Sequence, residues 1–474
     1  MTLPAKFVER VLRDLGGTEG AALCAALDAE PPVSVRLNSA KTGADTLPAG
    51  PDAGLPVPEA AGLPALAIAG RVPWSRDGRY LAVRPSFTLD PDFHAGAYYV
   101  QEASSQFVGH LLAAVRTEGA RILDLCAAPG GKTTLYASLA GPDGLVVANE
   151  IDRRRASVLA DNVRKWGTGN VAVTTCEPRA LGDFEAWFDV VAVDAPCSGE
   201  GMFRKDPDAR GEWSEGNVKQ CAARQDEILR EAWRALKPGG TLVYSTCTFN
   251  RDEDEGALER MAAWAGDEIA ESEETAVEDA WGIVCGRVGA FRTFRFYPHR
   301  TCGEGFFAAV ARKSFDAGGR VRAPKARRTV FAAVDRKTAG ELARWVRNPG
   351  GMRFAAVADT CYAWYAAQAD AVRTLSEALP VIYSGVALGQ VFKGVLKPDP
   401  ALAFFDGLNR GALHAAELDD EETLRFLRRQ DIAAGGLAEG MNLVCSRGRA
   451  LGFAKRIGAR VNNLYPNSLR IIKQ

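Results

Sequence analysis

Between Ala120 and Tyr244 short apolar runs alternate with stretches of helical character, and this alternation limits the fold more than any other feature of the chain. The runs are Arg121–Leu125, Leu145–Ala148, Val171–Val173, Val190–Val193 and Thr241–Tyr244, separated by helical stretches such as Arg153–Trp166 and Val218–Leu236. Strands this apolar need cover on both faces, and strand–helix alternation supplies it as a parallel sheet between two helix layers. Open sheets of this kind bind ligands beyond the carboxyl ends of their strands. The residues directly after each run are therefore where chemistry is expected.

After the first run comes Cys126-Ala-Ala-Pro-Gly-Gly-Lys132, small residues that turn the chain and let backbone approach a ligand before a helix begins. Gly131-Lys-Thr133 invites comparison with a phosphate-binding loop, but that motif needs a glycine where Cys126 stands. A tight turn with no ligand has the same composition. The second run ends at Asn149-Glu150, where a carboxylate could accept both hydroxyls of a ribose, although a lone glutamate after a strand is commonly just solvated. Glu177 and Asp194 follow the next two runs, so four features fall on one sheet edge.

Two of the ten cysteines also follow strand-like runs: Cys197 in Asp194-Ala-Pro-Cys-Ser-Gly199 and Cys247 in Tyr244-Ser-Thr-Cys-Thr248. A free thiol has a pKa of roughly 8.5 and attacks only as thiolate, so a catalytic cysteine needs an electropositive, hydrogen-bonding loop. Most cysteines are inert packing. These two sit in polar, glycine-bearing segments, and the first runs on to Arg204 and Lys205, which could meet phosphates. The cysteines are otherwise scattered without Cys-x-x-Cys or Cys/His spacing, so no metal is expected.

Charge nearly cancels, with 58 Lys and Arg against 59 Asp and Glu, so any surface for nucleic acid must come from uneven distribution. Residues 252–279 hold twelve acids and one arginine, whereas 447–474 hold seven basic residues and no acid, which makes the latter stretch the candidate for phosphate contact. Neither a secretion signal nor 18 consecutive apolar residues is present, so a cytoplasmic protein with reduced thiols and no membrane partner is expected.

The chain divides by composition into an N-terminal α/β region at 1–94, with the strand-like Val33–Leu37 and a Gly/Pro-rich loop stretch at 48–64, and the alternating domain at 95–313. A basic connecting region at 314–379 opens with Ser314–Arg328, and a β-rich module at 380–474 begins at the break Leu379-Pro380 with Val381–Tyr383.

Several of these motifs together resemble the Nop/Sun family of RNA cytosine-5 methyltransferases, and most of all its bacterial methyltransferase F-like branch, which acts on the small ribosomal subunit. They are Tyr98-Tyr-Val-Gln-Glu-Ala-Ser-Ser105, the turn at 126–132, the Pro-Cys and Thr-Cys segments, and Tyr297-Pro-His-Arg-Thr-Cys-Gly-Glu-Gly-Phe-Phe307. Leu451-Gly-Phe-Ala-Lys-Arg456 and Asn463-Leu-Tyr-Pro466 resemble that branch's PUA-like RNA-binding module. The resemblance implies a Rossmann-like methyltransferase sheet, an N-terminal RNA-recognition region and a C-terminal PUA-like domain. It also implies a cytoplasmic monomer that methylates carbon 5 of cytosine in 16S ribosomal RNA with S-adenosylmethionine.

By position, Cys247 matches the nucleophile and Cys197 the cysteine that aids product release; spacing alone does not decide between them. Cys126, Ala127, Ala128, Pro129, Gly130, Gly131, Lys132, Glu150, Glu177 and Asp194 match cofactor positions, and Asp194 is also matched to the contact with ring nitrogen 3. Glu177 stands where aspartate is usual, and Asn250-Arg-Asp-Glu-Asp-Glu255 departs mildly from Asn-x-x-Glu-Asn-Glu. Carbon 5 of cytosine is too weak a nucleophile to take a methyl group until a thiolate adds at carbon 6, which gives the cysteines their implied roles. Transfer RNA is the alternative substrate, and a non-enzymatic ribosome assembly factor the alternative class.

Overall fold

The computed structural model describes residues 2–43 and 63–472; most of the Gly/Pro-rich stretch at 48–64 lies outside the described residues. The largest sheet has ten strands, and five of them are parallel. In spatial order these five are Leu236–Thr246, Phe188–Asp194, Arg121–Asp124, Leu145–Asn149 and Val171–Thr174. Chain order reverses on either side of Arg121–Asp124, so the turn at 126–132 opens at the switch point of the sheet, where a crevice forms.

Alternate residues of these strands feed two separate cores. Leu123, Val147, Val191 and Val193 pack beneath the helices Glu215–Ala235 and Glu255–Ala265, while Ile122, Val146, Val173 and Val190 pack beneath Phe107–Ala113, Gly131–Ala140 and Arg153–Trp166. This is the doubly covered Rossmann-like α/β sheet that the apolar runs call for. Antiparallel strands flank it: Phe306–Lys313 lies on Leu236–Thr246, followed outward by Phe291–Phe296 and Val284–Val288.

Val381–Ser384 is the outermost strand at the opposite edge of this sheet, paired antiparallel with Val171–Thr174. After the composition break at Leu379-Pro380 the chain thus adds one strand to the large sheet before it returns to another. A five-stranded sheet then draws on both sides of that break, joining Met352–Val357 and Thr360–Tyr365 to Val386–Phe392. Proline and glycine report where backbone turns, whereas the sheet a strand joins is decided by which apolar face it can cover. The basic stretch after Ser314 is docked as well, since the Arg328 guanidinium donates to the Leu379 carbonyl at 2.9 Å, beyond the end of the helix Ala369–Ala378.

In the N-terminal region Val33–Leu37 pairs with Gly78–Leu81 and with Tyr98–Tyr99 in a four-stranded sheet. The helices Ala5–Leu15 and Gly17–Leu27 leave this sheet and pack their Phe7, Leu23 and Leu27 against Phe203, Trp213 and Phe249 of the large domain. At the other end, His414–Glu417, Gly440–Ser446, Arg449–Ile457 and Arg460–Asn463 form a β-rich C-terminal sheet. No helix among the described residues is long and apolar enough to cross a membrane.

Candidate active site

The turn at 126–132 is shaped by two glycines that other residues could not replace without movement. Gly130 has φ +110°, and a Cβ there would stand 3.0 Å from Leu159; one on Gly131 would stand 3.3 Å from the Tyr99 ring. The turn's carbonyls are tied outward: Arg155 donates to Ala128 O at 3.0 Å, Asn162 to Pro129 O at 2.8 Å, and Arg36 to Gly131 O at 3.2 Å. Arg36 comes from the N-terminal sheet, is buried, lies over the Trp166 ring at 4.4 Å and is pulled down to about 10 by burial. Nothing in its local sequence marked it.

Two buried carboxylates flank the turn. Glu150 accepts from the Asp152 amide at 3.0 Å and pairs with Arg155 at 3.1 Å. Asp124, 1% exposed, accepts from the Thr133 hydroxyl at 2.6 Å through one oxygen, while its Oδ1 has no hydrogen-bond partner. Burial, with Asp194 and Glu150 adding to it, pushes Asp124 up to about 7. An unpartnered buried acceptor beside a glycine turn, with a second carboxylate at the next strand end, suits a ligand that carries an ammonium group and a ribose diol, both of which S-adenosylmethionine has. Glu177 is exposed at the head of the helix Pro178–Gly182 on the same edge.

Because folded Asp124 keeps its proton to higher pH than the unfolded chain does, the native state binds more protons between the ordinary carboxylate range and about 7. Stability from this residue therefore falls as pH rises through that window. Asp124→Asn, which cannot ionise, is expected to gain several degrees in melting temperature over the wild type at about pH 8 and much less at about pH 5. Thermal melting without added ligand at the two pH values checks this.

Cys197 and Cys247, fifty residues apart, meet because their strands are parallel neighbours with Asp194 opposite Ser245. Their sulfurs lie 3.4 Å apart. The hydrogen bond to Cys247 and burial together hold the Cys197 thiol well above the usual cysteine range, which leaves its proton in place. On the other side, Lys132 Nζ lies 2.8 Å from Asp194 Oδ2, and Ser245 Oγ donates to Asp194 Oδ1 at 2.8 Å. Burial alone would lower Lys132, but Asp194, Asp124 and Cys247 outweigh it, so its ammonium persists. The turn, Glu150, Asp194 and both cysteines thus gather on one edge, and the lysine of the turn proves to pair with Asp194.

Several basic residues that looked available for phosphate are engaged within the fold. Arg204, its side chain 6% exposed, pairs with Glu304 at 3.0 Å; Lys205 remains partly exposed. In the C-terminal run Arg447 bridges Asp92 at 3.0 Å and Asp420 at 3.1 Å, Arg449 pairs with Asp92 at 2.8 Å, and Arg456 donates to the Leu437 carbonyl at 2.6 Å. Lys455 and Arg460 stay exposed. Arg447 and Arg449 serve to seat the C-terminal sheet on the rest of the chain, which linear charge cannot reveal.

Family comparisons agree in order along the chain. The model of the N-terminal domain of 16S rRNA methyltransferase RsmF matches residues 3–103, that of 16S rRNA methyltransferase RsmB/F residues 111–312, and that of the methyltransferase RsmF PUA domain residues 414–471. Ribosomal RNA small subunit methyltransferase F of Shewanella loihica is 31% identical over 418 residues, covering 84% of this chain and 83% of that protein. The Escherichia coli O127:H6 protein of the same name is 32% identical over 425 residues, with 84% of each covered. Among solved structures, a methyltransferase homolog protein from Pyrococcus horikoshii is 27% identical with a TM-score of 0.51, covering 65% of this chain and 94% of its own. NSun6 from Pyrococcus horikoshii, at 20% identity and a TM-score of 0.51 over 65% of this chain and 98% of that one, shares the fold. With the turn, sheet edge and terminal domains all in register, the chain belongs to the RsmB/F family of S-adenosylmethionine-dependent methyltransferases and carries the N-terminal and PUA domains of its F branch.

Proposed function

We propose that the chain methylates carbon 5 of a cytosine in 16S ribosomal RNA, on the small subunit or a late precursor, through a covalent bond between Cys247 and the base. The observation that carries this reading is the 3.4 Å pair of sulfurs at the sheet edge, with Cys197 holding its proton and the Lys132 ammonium, paired with Asp194 at 2.8 Å, near enough to Cys247 for their charges to interact. Cys247, as thiolate, adds to carbon 6; Asp194 and Lys132 act together at ring nitrogen 3, the ammonium supplying the hydrogen. S-adenosylmethionine supplies an electrophilic methyl group when bound, held by residues Cys126 to Lys132 with Glu150, Glu177 and Asp194. A base, with water as the simplest candidate, then takes the carbon 5 proton and the Cys247 thiolate leaves by elimination, assisted by Cys197 directly or through water.

The target base must leave its stack for carbon 6 to be reached, at a cost of a few kcal/mol that pocket contacts offset. Loops and bulges are the natural substrates. Residues 1–94 and the C-terminal module would hold RNA while 95–313 performs the chemistry, in a cytoplasmic monomer. Labelled methyl transfer by purified protein to isolated small subunits, compared with transfer RNA, tests the assignment. Label on small subunits and little on tRNA is expected; label on tRNA alone would replace the substrate by the tRNA alternative, and label on neither would favour the assembly-factor reading.

A further inference from the structure

The loops that carry the two cysteines are joined by a reciprocal exchange of backbone amides and buried carboxylates. Glu200, on the Pro-Cys loop, accepts from the Phe249 amide of the Thr-Cys loop at 3.0 Å. Glu253, beyond the Thr-Cys loop, accepts from the Ser198 amide of the Pro-Cys loop at 2.9 Å. Asn250 lies between them, donating to Glu253 at 2.6 Å and Glu200 at 3.2 Å, while its own oxygen accepts from the Glu253 amide at 3.0 Å. Gln225, from the helix Glu215–Ala235, completes the set by donating both to Glu253 and to the Pro196 carbonyl at 3.0 Å. Glu200, Glu253 and Gln225 are fully buried.

Two buried carboxylates this close need compensation. Arg10 provides it from the N-terminal helix Ala5–Leu15: it pairs with Glu200 and lies over the Trp213 ring at 5.1 Å. Phe7, one turn earlier, is buried against Phe203 at 5.0 Å between ring centroids. Residues of the N-terminal region therefore reach the support of both cysteine loops.

We propose that Glu253 and Glu200, with Arg10 as counter-ion, form a clasp that positions Cys197 and Cys247 against each other and so makes Cys247 the sulfur that reacts. The clasp goes beyond the reading of Cys247 as nucleophile and rests on it. Glu253 is the positioning residue at its centre. Its two oxygens receive only donors, the Ser198 amide and the Gln225 and Asn250 side-chain amides, so an amide in its place would bring a donor against a donor. Its charge also opposes ionisation of Cys197, while the Lys132 ammonium and Cys247 interact electrostatically. Asp194, Glu200, Cys221, Tyr244 and Asp254 are among the other titratable groups around the pair and its clasp.

The test uses the full chain carrying Glu253→Gln, with folding followed by thermal melting. One readout is the ratio of Cys247 to Cys197 alkylation by iodoacetamide without RNA, measured by peptide mass spectrometry; it is expected to fall about tenfold, the equivalent of one pKa unit of lost discrimination. The other is methyl transfer to small subunits that lack the modification, where kcat is expected to fall about 100-fold with KM changed by less than about threefold. An unchanged alkylation ratio overturns the clasp, whatever happens to turnover, and so does a loss confined to KM. If Glu253→Gln does not fold, Arg10→Met is read in the same way, with a fall of about threefold in the ratio expected and none overturning the proposal. The alkylation arm needs no RNA, so a failure of the substrate reading leaves the clasp separately testable.

Discussion

Replacing Cys247 by alanine is expected to lower methyl transfer by on the order of 10⁴-fold or more, with binding of S-adenosylmethionine unchanged within about threefold. The size follows from what the sulfur is proposed to do. Without addition at carbon 6, carbon 5 stays part of an aromatic ring and cannot present an electron pair to a methyl group. Each factor of ten corresponds to about 1.4 kcal/mol of barrier, so 10⁴ asks for roughly 5 to 6 kcal/mol from covalent activation. The side chain lies on a loop beyond the strand Leu236–Thr246 and is only partly buried, so its removal should leave the fold intact. Single-turnover transfer from labelled cofactor to small subunits, with cofactor binding measured separately, checks both halves. Transfer at even a tenth of the wild-type rate would remove Cys247 as nucleophile.

Cys197→Ala is expected to give a different defect, a covalent protein–RNA adduct that survives denaturing gels together with a turnover loss of about 100-fold. Cys197 is the thiol that holds its proton beside Cys247, so it is the group able to give a proton to the departing Cys247 thiolate when the adduct breaks down and to recover one from water afterwards. Adding the methyl group need not involve it; releasing the product should. The double variant Cys197→Ala, Cys247→Ala should form no adduct, because the bond it would trap requires the second sulfur. Normal turnover by Cys197→Ala with no trapped species would end its assignment to release. The two variants together also decide which cysteine attacks, since exchanging the roles exchanges the phenotypes.

The parallel sheet was legible in the sequence because Val146, Val147, Val190 and Val191 are apolar on consecutive positions, and only burial on both faces makes such runs favourable. The turn was legible for a similar reason, since small residues ahead of a helix leave few backbone paths. The flanking strands were harder to place. Val381–Ser384 looks like the opening of a new module because Pro380 precedes it, yet it pairs with Val171–Thr174, and no local signal names a partner two hundred residues away. The partners of Arg204, Arg447 and Arg449 were hidden for the same cause: a guanidinium belongs to the nearest carboxylate in space, and Glu304, Asp90 and Asp92 are remote in the chain.

At the candidate site the sequence by itself determined which residue types stand beyond which strands: the glycine turn, Glu150, Asp194 and a cysteine after each of two apolar runs. These are local facts, set by the run of side chains that a strand or turn can tolerate. Tertiary structure alone decided that the two sulfurs stand 3.4 Å apart, that Lys132 turns to Asp194, and that Glu200 and Glu253 join the loops, with Arg10 paired to Glu200. Such pairings depend on strand order and on which buried charges find partners. Electrostatic and hydrogen-bond energies act over a few ångströms of space and take no account of distance along the chain.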